Sequence, residues 1–419
     1  MDPVADGPRV AVVCDYSLGY LGGAQTALLQ EAAALAATGA RVLMLSPSTD
    51  EIWQRVNPSE AVDQMVDHVR IPSRFTLPGL GLPVVRNTPA LRDRIRRLLL
   101  QHRSQVVHLQ SEFGLAAAAA TVAAELGLPV VHTVHTFFWQ ARAAGQRLLA
   151  PAVRRFHRLI TGLSPTTARL SDRAADSALR NMTLTVAEQA ELVLSPSAHQ
   201  ADRLRQAGLE HVAVLPNTVV STSDASELTA VHGPLKIIWI GRCVPEKRIL
   251  IFIRAAVAAV DRLGADKIDF TVVGDGPQLA RARSTTADRP GISFLGRQHH
   301  GRVGELLGRS HLLALTSYGF DNQPMTIVEA VMALRGVIYC DPALSEGLGG
   351  PGILAPPDEA GLAARFVELA GDPDRVISAS RAAARIRAGF SPQHHATELI
   401  KHYRDLIRAA GAEGIPRSQ

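Results

Sequence analysis

Short runs of β-branched and other apolar residues alternate along the chain with longer stretches of helical period that are rich in Ala, Leu and Arg. This alternation is typical of parallel sheets covered by helices on both faces. In the N-terminal half it predicts, in order, strand Arg9–Cys14, helix Ala24–Thr38, strand Arg41–Ser46, helix Leu91–His102, strand Gln105–Leu109, helix Ala116–Leu126, strand Val130–His135, a weaker helical region over Gly145–Leu179, and strands Leu192–Ser195 and Val212–Pro216.

Composition changes between Val219 and Pro234, where Ser, Thr, Asp and Gly cluster with few large apolar residues. We interpret this stretch as a linker between two domains. The alternation then restarts and predicts strands at Leu235–Ile240, Ile268–Val273, Ile292–Leu295, Leu312–Leu315 and Val337–Cys340. Helices are predicted at Arg248–Leu263, Gln278–Ser284, Val303–Gly308, Thr326–Leu334, Ala360–Ala370 and Pro392–Arg408.

The pattern therefore predicts two doubly wound α/β domains in tandem. We place the first domain over residues 1–220 and the second over 235–390, and we expect a final helix within 391–410. Ligands of such sheets bind beyond the carboxyl ends of the strands, so two facing domains would hold the site in the cleft between them.

A chain of 419 residues that is 47% hydrophobic and 20% charged has the composition of a globular protein with more than one core, which excludes a peptide hormone and a disordered chain. Its three cysteines, Cys14, Cys243 and Cys340, are far apart and form no CxxC pair. This favours a reducing compartment over disulfides or a zinc site. Because no secretory signal or membrane-spanning run is visible, we expect a soluble, cytoplasmic protein.

Several glycines follow the first predicted strand, where the chain enters a helix: Gly19, Gly22 and Gly23. Glycines let the backbone approach a ligand closely, and the helix N-terminus offers N–H groups to an anion. The segment matches neither the dinucleotide-binding nor the Walker A pattern. A plain strand-to-helix turn therefore explains it as well as a phosphate site does.

Two cations lie five residues apart in the loop that begins at Gly241, after a predicted strand. Arg242 can bind a diphosphate with two parallel hydrogen bonds, and Lys247 supplies a point charge. The chain has only four lysines against 40 arginines, which adds weight to a lysine at this position. A solvated basic loop is the alternative. Gly274 also follows a predicted strand, and by itself it indicates only a turn.

The segment Ser317–Ala330 is the most informative part of the chain. It places the carboxylates of Asp321 and Glu329 eight positions apart, one in a loop and one in the following helix, so both can face one ligand. Carboxylates accept hydrogen bonds from hydroxyl groups, which suits a sugar or a ribose, and the helix start adds N–H donors. Surface carboxylates at this spacing are common, so a site without function is the alternative.

Histidines occur singly and in pairs. His135 lies at the carboxyl end of its predicted strand; a lone histidine there is usually structural, and we interpret His132 in that way. The pairs His299/His300 and His394/His395 lack acidic or Cys partners at metal-ligand spacing, so we interpret them as surface residues and expect no metal site.

These segments, taken in order, resemble the retaining glycosyltransferases of family 4, which use nucleotide-sugar donors. The resemblance runs from the Gly22-Gly23 loop to the segment from Phe390 to Tyr403, which looks like the family's closing helix. It implies the α/β GT-B fold, in which two Rossmann-like doubly wound parallel-sheet domains face each other across a cleft and a C-terminal helix crosses back to the first domain.

The resemblance also implies a role for each matching residue. Arg242 and Lys247 would hold the donor diphosphate, and Glu329 would hold the ribose hydroxyls. Asp321 and His135 would lie near the transferred sugar, so the implied catalytic residues are His135, Arg242, Lys247 and Asp321. The implied donor site consists of Gly22, Gly23, Gly241, Arg242, Lys247, Gly274, Asp321, Asn322, Gln323, Met325 and Glu329. No metal or other cofactor would be required, because the two cations take its place.

Two residues depart from the family pattern. Asp321 stands where Glu is usual, which shortens the side chain by one methylene, and Pro324 stands where Gly is common, which removes a backbone N–H. The implied reaction moves a sugar, with retention, from a UDP- or GDP-linked donor to a hydroxyl of a membrane lipid or small-molecule glycoside. The alternatives are a GT-B sugar-nucleotide epimerase, a phosphorylase, or a catalytically degenerate nucleotide-sugar-binding subunit.

The net charge of +5 hides an uneven distribution. Residues 68–170 carry fourteen arginines and three acidic residues, whereas the flanking segments are acidic. The helix Leu91–His102 is basic and amphipathic, and Arg92, Arg94, Arg96 and Arg97 fit docking on anionic lipid at the inner face of a membrane. A solvated basic helix is the alternative. No nucleic-acid-binding module is visible, so we expect no nucleic-acid partner.

Overall fold

A computed structural model describes residues 7–18, 23–47, 59–73, 75–77, 82–138, 140, 146–221, 223–319 and 321–413. The chain divides into two compact units. Unit 1 comprises Met1–Pro216 together with Pro392–Gln419, and unit 2 comprises Asn217–Ser391. Each unit is described by itself below.

Strands and helices alternate in the described part of unit 1. The strands are β1 Arg9–Val13, β2 Arg41–Ser46, β3 Val66–Arg70, β4 Phe75–Leu77, β5 Leu82–Val84, β6 Val106–Leu109, β7 Val130–Thr133, β8 Leu192–Ser195 and β9 Val212–Val214. The helices are α1 Gly23–Ala37, α2 Glu60–Asp63, α3 Pro89–His102, α4 Gly114–Glu125, α5 Gln146–Thr161, α6 Ala174–Ala187 and α7 Ala198–Gln206.

Unit 2 repeats the alternation. Its described strands are β10 Leu235–Ile240, β11 Ile268–Val273, β12 Ile292–Gly296, β13 Leu312–Leu315, β14 Gly336–Tyr339 and β15 Gly352–Leu354. Its described helices are α8 Ile249–Leu263, α9 Leu279–Thr286, α10 His300–Arg309, α11 Met325–Met332, α12 Glu359–Ala370 and α13 Pro373–Ile386. The chain then returns to unit 1 as α14, Pro392–Glu413.

The main sheet of unit 1 is parallel, with the described strands in the order β3-β2-β1-β6-β7-β8-β9. Val10 of β1 lies beside Val42 of β2 on one side and beside Val106 of β6 on the other. The chain passes from one half of the sheet to the other between β1 and β6. Residues that follow these two strands therefore lie at the switch point, where open α/β sheets bind ligands.

The sheet of unit 2 is also parallel, with the described strands in the order β12-β11-β10-β13-β14-β15. Its switch point lies between β10 and β13, where Ile237 pairs with Leu312. Phe252, Phe270 and Phe366 form an aromatic cluster in the core on one side of this sheet, with ring centroids 5.0 to 5.9 Å apart. The predicted doubly wound α/β class is confirmed in both units.

Helix α14 is part of the core of unit 1. Leu399 and Tyr403 are fully buried and lie in one cluster with Val12 of β1 and Leu35 of α1. Burial of a leucine side chain contributes about 2 kcal/mol, so α14 adds substantially to the stability of this unit.

The predicted linker belongs to unit 2. Val219 is 1% exposed and packs with Val328. The amide of Leu228 donates to the hydroxyl of Ser380 in the same unit at 2.9 Å. The Arg335 guanidinium donates to the carbonyl of Ser226 at 2.8 Å. The segment 219–234 resembles a linker in sequence because its apolar residues are few and widely spaced. In the structure, Val219 and backbone groups of the segment attach it to unit 2.

Several elements were not predicted because they lack a continuous apolar run. Strand β3 has only half-buried positions among exposed ones, and β15 is three residues long. Helix α13 begins at the capping residue Asp372, and its buried positions are mostly small, such as Ala379 and Ala383. The weak helical region Gly145–Leu179 covers α5 and the beginning of α6, which continues to Ala187.

The structure changes the interpretation of the amphipathic helix α3. Its apolar residues Ile95 and Leu99 are buried in the core of unit 1, so this face does not meet solvent. The arginines of the opposite face make contacts within the unit: Arg92 with Asn87, Arg94 with the carbonyl of Arg70, and Arg96 with Asp93 and Glu125. Arg97 is exposed. Among the described residues, no helix is both long and apolar enough to cross a membrane.

Candidate active site

The loops that follow β10 and β11 run against each other with almost no space between them. Gly274 has a φ of +142°, and a Cβ built on it would lie 1.8 Å from the carbonyl oxygen of Gly241. Gly276 has a φ of +149°, and its Cβ would lie 2.8 Å from the carbonyl oxygen of Cys243. The amide of Cys243 donates to the carbonyl of Asp275 at 2.8 Å. The glycines at 274 and 276 thus permit a close backbone contact that shapes the loop after β10.

That loop carries the two predicted phosphate-binding cations. Arg242 is exposed, and its carbonyl accepts a hydrogen bond from the amide of Val244 at 2.8 Å. Lys247 ends a short 3₁₀ turn, and its carbonyl accepts from the hydroxyl of Thr316 at 2.7 Å. Thr316 in turn accepts from the indole N–H of Trp239 at 3.0 Å. The backbone of Lys247 is therefore fixed by buried residues while its side chain extends from the loop.

Arg248, which the sequence places at a helix start, joins the loop to its neighbours. It adopts a left-handed conformation with a φ of 55°, and its guanidinium donates to the carbonyl of Thr316 at 3.2 Å and to that of Pro357. The same guanidinium lies 5.8 Å from the ring centroid of Tyr318. Nothing in the sequence distinguished Arg248 from other arginines, because its role depends on loops more than 60 positions away.

Lys247 and Asp321 form an ion pair at the switch point of unit 2. The Lys247 Nζ lies 2.6 Å from Asp321 Oδ1 and 2.8 Å from Oδ2. The side chains are 21% and 10% exposed, respectively, so the pair is partly shielded and still reachable from solvent. A cation from the loop after β10 thus meets a carboxylate from the loop after β13.

The rest of the Asp321 loop leads into α11. Asn322 and Gln323 are buried, and the Gln323 Oε1 accepts from the amide of Asn217 at 2.6 Å. Pro324 is the N-cap residue of α11 with no side-chain capping bond, and Met325 is the first residue of the helix. In this first turn the amide of Ile327 donates to the carbonyl of Pro324 at 3.0 Å.

Glu329 lies further along α11 and contacts a histidine. Its Oε1 is 3.5 Å from His300 Nδ1, and the carboxylate is 15% exposed. The hydrogen bond to Glu329 is the main reason why the pKa of His300 is raised above its usual value. His300 is exposed, as expected for a surface residue, and it also contacts Glu329, the predicted ribose ligand. His299 is the N-cap residue of α10 and accepts from the amide of Arg302 at 3.2 Å.

Two predicted donor-site glycines belong to unit 1. Gly22 lies outside the described residues, and Gly23 is the exposed first residue of α1. Sequence analysis did not single out Asp15, which follows β1 and is fully buried. It accepts from the amides of Leu115 and Ala116 at 2.7 and 3.1 Å, so it caps the start of α4 rather than facing a ligand.

His135 follows β7, two residues beyond its last residue, and its Nε2 lies 2.6 Å from the Gln110 Oε1. Burial lowers the pKa of His135 to about 4, so its ring is neutral at pH 7. His132 is fully buried, and burial lowers its pKa to about 3.

His395 is not a surface residue, and that interpretation was wrong. It is 5% exposed, its Nε2 lies 3.0 Å from Glu31 Oε2, and its Nδ1 lies 2.9 Å from the carbonyl oxygen of Pro216. Sequence analysis could not find this contact, because Glu31 and His395 are 364 positions apart. Within the described ranges, no group of three or more His, Cys, Asp or Glu side chains is arranged to hold a metal ion.

Two family models match the chain. The model described as Glycosyltransferase Family 4 matches residues 21–222, and the model described as Glycosyl transferases group 1 matches residues 221–341. Together they extend from the glycine loop of unit 1 to the strand after the Asp321–Glu329 segment.

Known proteins agree with this assignment. A GDP-mannose-dependent alpha-mannosyltransferase of Corynebacterium glutamicum is 23% identical over 421 residues, covering 95% of this chain and 89% of that protein. A D-inositol 3-phosphate glycosyltransferase of Rhodococcus opacus is 23% identical over 308 residues, covering 65% and 66%. The crystal structure of Anabaena HepE in complex with UDP has the same fold, with a TM-score of 0.67, 15% identity, and 95% and 100% of the two chains covered.

The expected enzyme class, a hexosyltransferase, is confirmed by these matches. The chain is a family 4-like glycosyltransferase of the GT-B fold.

Proposed function

We propose that this glycosyltransferase moves a hexosyl unit from a nucleoside diphosphate sugar to an acceptor hydroxyl, with retention at the anomeric carbon and without a metal ion. The observation that carries the proposal is the Lys247–Asp321 pair at the switch point of unit 2. A cation suited to phosphate and a carboxylate suited to a sugar hydroxyl meet there, at the position where a doubly wound sheet binds its ligand.

Arg242 and Lys247 are proposed to bind the donor diphosphate. When the bond between the anomeric carbon and the phosphate oxygen breaks, negative charge grows on the departing diphosphate. The acceptor oxygen then bonds to the anomeric carbon on the same face, and its proton passes to the released phosphate oxygen. Preorganised cations that stabilise such charge contribute several kcal/mol to catalysis in comparable sites, roughly 3 kcal/mol for a single donor.

The two carboxylates are proposed to divide the sugar part of the donor between them. Asp321 is held by Lys247 and would accept from a hydroxyl of the transferred sugar. Glu329 would accept from the ribose hydroxyls, in place of its present contact with His300. His135 is proposed to contact the same sugar, and this assignment rests on the family resemblance.

GDP-mannose is the first donor to examine, because the mannosyltransferase relative is described as dependent on it. UDP-sugars are the second, because the Anabaena neighbour was crystallised with UDP. The chain differs from its family at Asp321 and Pro324, the residues nearest to the proposed sugar subsite, so the sugar itself has to be identified by experiment.

The proposed acceptor is a membrane lipid or a small-molecule glycoside, and the structure supports a revised docking surface. Helix α5 contains no acidic residue, and its Leu148 and Leu159 are 82% and 58% exposed. Arg155 and Arg158 are exposed on the same helix, and positions 148, 155 and 159 lie on one helical face. A face with both exposed leucines and arginines suits an anionic lipid surface better than α3 does, because the apolar face of α3 is buried.

The test is a panel of GDP- and UDP-hexoses incubated with lipid and glycoside acceptors. The expected result is acceptor-dependent release of one nucleoside diphosphate and a product whose anomeric configuration, measured by NMR, equals that of the donor. An inverted product would contradict retention. Consumption of the donor without any acceptor, or dependence on inorganic phosphate, would contradict the transferase assignment and favour an epimerase or a phosphorylase.

A further inference from the structure

A buried polar network in unit 1 connects α14 to His135. Its members come from four parts of the unit: Glu31 from α1, Gln110 from the end of β6, His135 from the loop after β7, and His395 from α14. Glu31, Gln110 and His395 are 6%, 1% and 5% exposed. Burial of charged and polar groups costs free energy unless each is paired, so the orientation of every group in this network is strongly determined.

The network begins with a contact between α14 and α1. Both ring nitrogens of His395 face oxygens that can only accept: Nε2 faces the Glu31 carboxylate and Nδ1 faces the carbonyl of Pro216. Both ring nitrogens of His395 therefore lie within hydrogen-bonding distance of acceptor oxygens. Burial alone would raise the pKa of Glu31, but His108 and His395 outweigh it and hold that pKa well below its usual value. Glu31 is therefore a carboxylate.

The carboxylate fixes the orientation of the neighbouring amide. Gln110 Nε2 lies 2.6 Å from Glu31 Oε1, and a carboxylate accepts but does not donate, so the amide nitrogen must point to Glu31. The amide oxygen of Gln110 then points to His135, whose Nε2 lies at 2.6 Å. Since an amide oxygen only accepts, the proton of the neutral imidazole must be on Nε2. Nδ1 of His135 is consequently the acceptor nitrogen.

We propose that Gln110, oriented by the Glu31–His395 contact, is a positioning residue that fixes His135 in the Nε2–H tautomer. Gln110 lies directly after β6 and next to the switch point of unit 1. Through Glu31 and Gln110, helix α14 therefore influences which nitrogen of His135 carries the proton. In this tautomer His135 can accept a hydrogen bond from a sugar hydroxyl but cannot donate one through Nδ1.

Other titratable groups around the His135 ring affect whether the ring is protonated. Glu31, His108 and His395 all influence His135, and His132 lies close enough to be influenced by it. The carboxylate favours a protonated ring and the neighbouring histidines disfavour one. Since burial dominates and keeps the ring neutral at pH 7, the role of Gln110 is to choose between the two neutral forms.

Only the effect on rate rests on the proposed function, because the tautomer is a property of unit 1 itself. The test is a two-dimensional ¹H–¹⁵N spectrum of the full-length protein labelled at histidine, recorded at pH 7. We expect the His135 resonance, assigned by its loss in His135→Gln, to have the Nε2–H pattern. An Nδ1–H pattern in the unmodified protein would overturn the proposal, whether or not any variant folds.

Two variants extend the test. Gln110→Ala should lose the single tautomer, because it removes the acceptor that lies opposite Nε2. The control is Asn181→Ala, which removes another buried amide of unit 1, one that holds the carbonyl of Ala168 at 2.8 Å; its His135 resonance should not change. An unchanged tautomer in Gln110→Ala would overturn the proposal.

Turnover separates this inference from the proposed function. If His135 contacts the sugar, Gln110→Ala should lower kcat roughly 10- to 100-fold with a smaller change in the KM of the donor, because orientation is lost while the diphosphate contacts remain. A changed tautomer with an unchanged kcat would support the positioning role of Gln110 and contradict the proposed role of His135 in the reaction.

Discussion

The ammonium of Lys247 contacts both carboxylate oxygens of Asp321, at 2.6 and 2.8 Å. The two residues follow β10 and β13, the neighbouring strands at which the strand order of the unit 2 sheet reverses. Because the contact is partly exposed, a diphosphate that approaches Lys247 meets an ammonium already paired with a carboxylate. The ion pair therefore holds the cation in position and also competes with the ligand for it.

Replacement of Asp321 by Asn should separate these two effects. Loss of the competing charge should lower the Kd of a nucleoside diphosphate about two- to fivefold, the range expected for a partly exposed ion pair. Loss of the sugar contact should lower kcat. Calorimetry with the nucleoside diphosphate and initial rates with the complete donor measure the two effects, with Asp261→Asn, a surface variant on α8, as the control. Weaker diphosphate binding in Asp321→Asn would contradict the competition.

Addition of a single methyl group at Gly274 should disrupt the contact between the loops after β10 and β11. Gly274→Ala would place a Cβ 1.8 Å from the Gly241 carbonyl oxygen at a φ of +142°. We expect a loss of roughly 3 kcal/mol in the free energy of unfolding, measured by urea denaturation, since both backbone strain and overlap oppose the change. Gly349→Ala, whose Cβ would meet nothing within 4 Å, should remain close to the parent protein. Equal stability of the two variants would contradict this close packing.

The buried histidines should make the protein less stable in mild acid. The pKa of His132 is about 3 and those of His135 and His311 are about 4, in each case chiefly because of burial. An unfolded imidazole has a pKa of about 6.5, so the unfolded chain binds protons between pH 6.5 and 4 that the folded chain does not. The free energy of unfolding should therefore fall as the pH is lowered through this window.

Other groups modify this dependence, Glu31 and His300 among them. The lowered pKa of Glu31 stabilises the folded state above the pH at which an unfolded carboxyl ionises, and this contribution is lost in stronger acid. The raised pKa of His300 acts in the opposite direction, because its contribution is present in acid and lost as the pH rises. Urea midpoints at pH 7 and pH 5 measure the sum. A higher midpoint at pH 5 would contradict the assignment of neutral, buried histidines.

Membrane docking should depend on α5. The double variant Arg155→Glu/Arg158→Glu should lower the affinity for anionic vesicles, measured by sedimentation, about 30-fold or more. Each basic residue near the headgroups contributes roughly 1 kcal/mol. Leu148→Ser/Leu159→Ser should reduce it as well, because both side chains are largely exposed and available for insertion. The control is Arg262→Glu/Arg281→Glu, which changes exposed arginines of unit 2. Equal binding of all variants, or binding to neutral vesicles alone, would contradict docking through this face.

The sequence was informative where chemistry and local pattern coincide. The alternation of strands and helices predicted both sheets, and Lys247 and Asp321, two of the residues assigned to the donor site, lie in contact. Strand-end loops are predictable because the strand before them is apolar and the polar residues that follow must lie at one edge of a parallel sheet.

The sequence was uninformative where a role depends on distant contacts. In the sequence, His395 resembles one member of a surface pair. Its contact with Glu31 exists only because α14 packs beside α1 in the fold. In the sequence, Gln110 follows a short strand and resembles any polar loop residue. Only the fold shows that it lies between Glu31 and His135. The helix α3 is basic and amphipathic for the ordinary reason that its apolar face packs on a core, so amphipathicity alone could not identify a membrane surface.

The most direct test of the account is the rate of sugar transfer in Lys247→Ala and Arg242→Ala, compared with Lys267→Ala, which removes a lysine that is 68% exposed in the same unit. We expect kcat/KM for the nucleotide sugar to fall about 10²- to 10³-fold in each of the first two variants and to stay within about twofold of the parent in the third. Near-parental rates in both Lys247→Ala and Arg242→Ala would contradict the assignment of these residues to the departing diphosphate.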